Sequence, residues 1–147
     1  MQYKNIIFDL GNVLVKLNPE GCIGAFKAIG MGELANSNPQ SEGMKLMSKL
    51  GVGMITIDIH WDYCVEHLFP YQNHGVEDYF EHCFLSQRMH LAKPDARIYE
   101  EVIRQANIHP DETLFIDDLK ENCEAAERLG IHTFQNVKLD DWLALRF

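Results

Sequence analysis

The chain has 147 residues, with 46% hydrophobic and 24% charged side chains, enough for one domain with a real core and too apolar for a disordered chain. Its net charge of −9 argues against sequence-independent binding of DNA or RNA, which depends on Lys and Arg neutralising phosphates. A small anionic substrate stays open, because a bound metal ion reverses the local field.

Taken in chain order, the first element is the apolar strand Ile6-Ile7-Phe8, ending at Asp9. Such a near-continuous run is typical of a strand buried on both faces. Leu10 to Val15 reads as a turn and a second short extended piece. A helix follows from about Pro19 and closes at Gly30. Residues 32–43, rich in Gly, Asn, Ser and Pro, read as a loop. Met44 to Leu50 is a short helix, Val52 to Ile57 a second buried strand, and Trp61 to Phe69 a helix stopped by Pro70.

Cys83-Phe84-Leu85-Ser86 reads as a third strand. Pro94 opens a helix with an apolar stripe at Ile98, Val102, Ile103 and Ala106. Thr113 to Ile116 is a fourth strand, Glu121 to Leu129 a helix capped by Gly130, and Ile131 to Phe134 a fifth strand. Asp140 to Leu145 forms a last helical turn. Strands alternating with helices predict an α/β fold: a three-layer, doubly wound, Rossmann-like parallel sheet with helices on both faces.

Cys22, Cys64, Cys83 and Cys123 are scattered, without a C-x-x-C pair. They read as reduced thiols of a cytoplasmic protein rather than a disulfide framework. The N-terminus runs straight into a strand, so neither a secretory leader nor a membrane span is expected.

In open parallel sheets the ligand site lies outside the carboxyl ends of the strands. Asp9, Thr56 and the Asp117-Asp118 pair all fall at such ends. An aspartate on a rigid element there can attack phosphorus; alternatively it caps a turn. Two adjacent carboxylates repel unless a cation lies near, and hard oxygen ligands favour Mg²⁺. Lys93, just before Pro94-Asp95, offers an ammonium to balance those carboxylates and hold a phosphate. Thr56 is either a phosphate-binding hydroxyl or a plain β-branched strand residue. His60, Cys64 and His67 share a helix face, but three such ligands on one short helix do not converge on one zinc ion.

Phe8-Asp9-Leu10-Gly11-Asn12-Val13-Leu14, then Leu85-Ser86, Lys93-Pro94-Asp95, Ile98-Tyr99, and Leu114-Phe115-Ile116-Asp117-Asp118 with Asn122, occur in this order. Together they resemble the haloacid dehalogenase (HAD) superfamily, and within it the small-molecule and sugar-phosphate phosphatases. The resemblance implies a Mg²⁺-dependent phosphatase of small phosphorylated substrates that acts through an aspartyl-phosphate. It implies Asp9 as nucleophile and metal ligand, Lys93 as the residue steadying nucleophile and phosphate, and Asp118 as a direct metal ligand. It places Asp117 and Asn122 behind them as orienting partners.

Three departures from the family pattern bear on activity. The usual second aspartate, general acid and base two residues after the nucleophile, is Gly11 here, which offers a metal only its backbone carbonyl. The stretch between Asp9 and Thr56 is too short for a full helical cap, so residues 16–50 are expected to be a shortened remnant of it on a single core domain spanning residues 1–147. The second motif retains only the hydroxyl of Thr56 in Met54-Ile55-Thr56. The alternative to an enzyme is therefore a HAD-like core that binds metal or phosphate with little turnover and serves as an interaction protein.

Overall fold

The computed structural model describes residues 3–14, 18–28 and 80–146, together with Lys16, Gly30, Gln40 and Lys45. Apart from Gln40 and Lys45, the expected loop at 32–43, the helices at 44–50 and 61–69, the strand at 52–57 with Thr56, and His60, Cys64 and His67 lie outside the described residues.

Strand β1 runs Asn5–Phe8 and helix α1 Pro19–Ala28. A short helix α2 spans Ser86–Met89 and the longer α3 Ala96–Ala106. Strand β2 runs Thr113–Asp117, helix α4 Lys120–Glu127 and strand β3 His132–Gln135. A 3₁₀ turn at Asp141–Ala144 follows. Among the described residues the sheet has the order β1-β2-β3, with both pairings parallel.

The central strand β2 is buried at every position, which is why Leu114-Phe115-Ile116 is apolar without alternation. Its side chains still point alternately to two faces. Phe115 packs with Ile98, Tyr99, Ala125, Ala126 and Ile131 on the face covered by α3 and α4. Leu114 and Ile116 pack with Val13 on the other, where Trp142 and Leu145 close the layer. Each large side chain buried in this way contributes about 1.5–3 kcal/mol.

Helix α3 starts at Asp95, whose side chain accepts from the Arg97 N–H. Pro94 therefore precedes the N-cap instead of opening the helix. Asn107 ends α3 with a φ of 51°. Gly130, at φ 84°, lets the chain reverse from α4 into β3.

Two expected strands are corrected. Residues 83–86 form no strand: the Leu85 carbonyl accepts from the N–H groups of Arg88 and Met89, so its hydrogen bonding goes into α2 and not into a ladder. Nor do residues 12–14 continue as an extended piece. Asn12 adopts a φ of 54° and the Leu14 N–H returns to the Leu10 carbonyl at 3.1 Å, closing a turn directly after Asp9.

Candidate active site

Parallel register brings the acids together. Phe8 pairs with Ile116, and the Asp9 N–H donates to the Ile116 carbonyl at 2.8 Å. The first residue past β1 and the last residue of β2 thus emerge side by side at the carboxyl edge. Lys93 reaches them from the segment before α3. Its Nζ donates to Asp9 Oδ1 at 2.5 Å and to Asp117 Oδ2 at 2.6 Å. The same ammonium lies 5.4 Å from the centre of the Phe115 ring, close enough for a cation–π contribution.

Asp117 has no solvent exposure, and a buried carboxylate is tolerated only when paired and hydrogen-bonded. Besides Lys93 it accepts from the Leu119 N–H at 2.9 Å and from Asn122 Nδ2 at 2.9 and 3.0 Å. Asn122 is itself buried, and its backbone carbonyl accepts from the Tyr99 hydroxyl at 3.0 Å. Both oxygens of Asp117 are therefore occupied by protein donors, which suits an orienting role better than direct metal ligation.

Asp118 turns the other way, toward the loop after β1, where its Oδ2 accepts from Asn12 Nδ2 at 3.0 Å. Asp9 keeps Oδ2, and Asp118 keeps Oδ1, without a protein donor among the described residues. Three carboxylates against one ammonium leave this edge net negative.

That charge and donor set fit a hard divalent cation. Among the described residues no three acidic, histidine or cysteine side chains converge on one point. A metal here would draw on two carboxylates, Asp9 and Asp118, with the Gly11 carbonyl and water. This is how Mg²⁺ is commonly held, since it retains several waters and takes one or two protein carboxylates.

The ionisation of neighbouring groups reflects the same arrangement. Burial alone would lower the Lys93 pKa, but its hydrogen bonds to Asp117 and Asp9 outweigh that and raise it. Burial raises the Tyr99 phenol, with the Asp117 charge adding to the effect. Burial also pushes the Cys123 thiol up to about 11, again reinforced by Asp117.

The structure thus brings Asp9, Lys93, Asp117, Asp118 and Asn122 to one edge, with Gly11 in the adjoining turn. Sequence reasoning missed Asn136. It is 1% exposed, and its Nδ2 donates to the Asn12 carbonyl at 3.0 Å while its own N–H donates to the Asp117 carbonyl at 2.8 Å. An asparagine just beyond a strand is a common turn residue, and nothing in the sequence singles this one out.

An α/β protein with paired acids and a lysine at the carboxyl edge of a parallel sheet is built for chemistry on an anionic substrate beside a cation. The chain belongs to the haloacid dehalogenase-like hydrolase family, whose model matches residues 68–135. It is 30% identical to a solved HAD family enzyme of Bacteroides thetaiotaomicron in complex with magnesium and inorganic phosphate. That match has a TM-score of 0.75 and covers 90% of this chain and 93% of the other. The structure of a predicted HAD-like family hydrolase from Porphyromonas gingivalis matches with a TM-score of 0.77 at 25% identity, over 97% and 95% of the two chains. D-ribitol-5-phosphate phosphatase of B. thetaiotaomicron is 32% identical over 74 residues, which is 50% of this chain and 36% of that relative. The chain thus spans about a third of the length of this curated relative.

Proposed function

We propose that the chain is a Mg²⁺-dependent phosphoric monoester hydrolase acting through an aspartyl-phosphate on Asp9, with a small phosphorylated compound as substrate. The observation that carries this reading is the Lys93 ammonium held between Asp9 and the buried Asp117. It fixes one oxygen of Asp9 and leaves the other without a protein donor among the described residues, as an in-line attack on phosphorus requires. The phosphatase relative and the magnesium–phosphate complex of the HAD neighbour support the same chemistry.

In this mechanism Asp9 Oδ2 forms a bond to phosphorus as the bond to the leaving oxygen breaks. Gly11 carries no acid, so the leaving oxygen takes its proton from water. Water then attacks the phosphorus of the aspartyl-phosphate, releasing inorganic phosphate and regenerating the Asp9 carboxylate. Lys93 stays protonated throughout and balances charge on the nucleophile and the phosphoryl oxygens. Asp9, the Gly11 carbonyl and Asp118 would hold Mg²⁺, which would supply the remaining charge neutralisation. Asp117 and Asn122 orient Lys93, and Thr56 is assigned the phosphate-binding hydroxyl. Residues 16–50 serve as a shortened cap on a single domain, which leaves the cleft open to water. Cys83 and Cys123, neither of them in a disulfide, accord with a cytoplasmic setting, and no helix among the described residues is long and apolar enough to cross a membrane.

Gly11 also favours a second reading, a HAD-like module that binds metal or phosphate without appreciable turnover. One experiment separates the two: hydrolysis of an aryl phosphate with Mg²⁺, by the parent and by Asp9→Asn. Turnover that is lost with EDTA and drops at least about 1,000-fold in Asp9→Asn supports the enzyme. A Mg²⁺-dependent rise in Tm without turnover supports the binding module.

A further inference from the structure

Resting on the metal assignment above, we propose that Asn12 is the positioning residue that presents Asp118 to the cation, and that Asn136 is the anchor that holds Asn12 in place. Asp118 lies past the end of β2, where the strand no longer restrains its side chain. The Asn12 amide supplies that restraint by donating to Oδ2 at 3.0 Å, so that Oδ1 is the oxygen left for a metal.

Asn12 makes this contact from a left-handed backbone, with a φ of 54°. Asparagine tolerates that region better than most residues. The conformation is locked from the far end of the chain. Asn136 Nδ2 donates to the Asn12 carbonyl at 3.0 Å and to the Leu139 carbonyl at 3.2 Å. Asn136 Oδ1 accepts from the Trp142 N–H at 3.0 Å, and Trp142 Nε1 donates to the next carbonyl, that of Val13, at 3.0 Å. Two consecutive carbonyls of the nucleophile loop are thereby fastened to the C-terminal segment. Asn136 also donates from its backbone to the Asp117 carbonyl, so one buried residue ties the loop after β1 to the end of β2, the two elements that carry Asp9 and Asp118.

Partners that orient a metal ligand usually change metal affinity by about 10–100-fold when removed. The test is a Mg²⁺ titration of the full chain without substrate, by calorimetry and by thermal shift, with Tm in EDTA measured alongside. Asn12→Gly is the informative variant, because glycine keeps the positive φ and removes only the amide. It should bind Mg²⁺ roughly tenfold more weakly while its Tm in EDTA stays at the parent value. Asn136→Asp, which keeps an acceptor for the Trp142 N–H but loses the donor to Asn12, should weaken Mg²⁺ in the same direction. Parent-like Mg²⁺ affinity in Asn12→Gly, alongside loss of binding in Asp118→Asn, would overturn the inference and leave the metal assignment standing. A parent chain that binds no Mg²⁺ would overturn both.

Discussion

The ammonium of Lys93 lies 2.6 Å from an oxygen of Asp117, a carboxylate with no solvent exposure. Lys93 is the only cation paired with that carboxylate among the described residues, and the same ammonium holds Asp9 in place. Stability and chemistry therefore meet in one side chain. Lys93→Met should abolish turnover and destabilise the fold by about 3 kcal/mol, because it strands a buried charge. Denaturant titration of the variant checks the stability, and the combined variant Lys93→Met/Asp117→Asn should recover a large part of it. No recovery in the double variant would mean that the pair is not the source of the loss.

Asn122 donates to both oxygens of Asp117 from the first turn of α4. Asn122→Ala leaves a buried carboxylate short of donors and should cost about 1–3 kcal/mol. Asn122→Asp should be worse, since it replaces the donors with a like charge. Thermal melts of the two variants side by side test the order.

Alkaline pH should unfold the chain earlier than its surface charge implies. The Cys123 thiol, ordinarily near 9.0, is held up to about 11 by burial and by the Asp117 charge. Below pH 9 the thiol is protonated in both states and its contribution to stability is fully present. Between 9 and 11 the unfolded chain releases the proton while the folded chain keeps it, so stability falls as pH rises. The raised Lys93 and Tyr99 act with the same sign at still higher pH. Cys123→Ala should flatten the decline between pH 9 and 11, measured as denaturation midpoints across that range. A slope equal to the parent's would rule the thiol out as its source.

Gly130 should resist substitution for a reason unrelated to the site. Its φ of 84° is strained for any residue with a Cβ, although that Cβ would meet only Pro110 at 3.7 Å. Gly130→Ala should lower stability by about 1–2 kcal/mol and leave turnover of an aryl phosphate unchanged. An equal loss of both would tie this turn to the active site.

The strands around the site were legible because apolar side chains on both faces leave a plain trace, in the partly buried β1 as in the fully buried β2. Ile6-Ile7-Phe8 and Leu114-Phe115-Ile116 are apolar runs that end in aspartate, and the structure keeps them as parallel neighbours. Residues 83–86 carry a similar apolar signal, yet Leu85 spends its carbonyl on α2. Composition records that a segment is apolar, not which hydrogen-bond partner it finds.

By itself, the order of residues determined that Asp9, Lys93 and the Asp117-Asp118 pair belong together, because strand-end acids followed by helix starts mark the carboxyl edge of a parallel sheet. Only the tertiary structure decided how the two adjacent acids divide. Asp117 turns inward to Lys93 and Asn122, whereas Asp118 turns outward to Asn12. Alternation along an extended chain sends neighbouring side chains to opposite sides, but which side holds the lysine and which the asparagine depends on segments far away in sequence. Asn136 is the clearest case. Its hold on the Asn12 loop spans nearly the whole chain, and no local pattern encodes a contact that only folding brings into being.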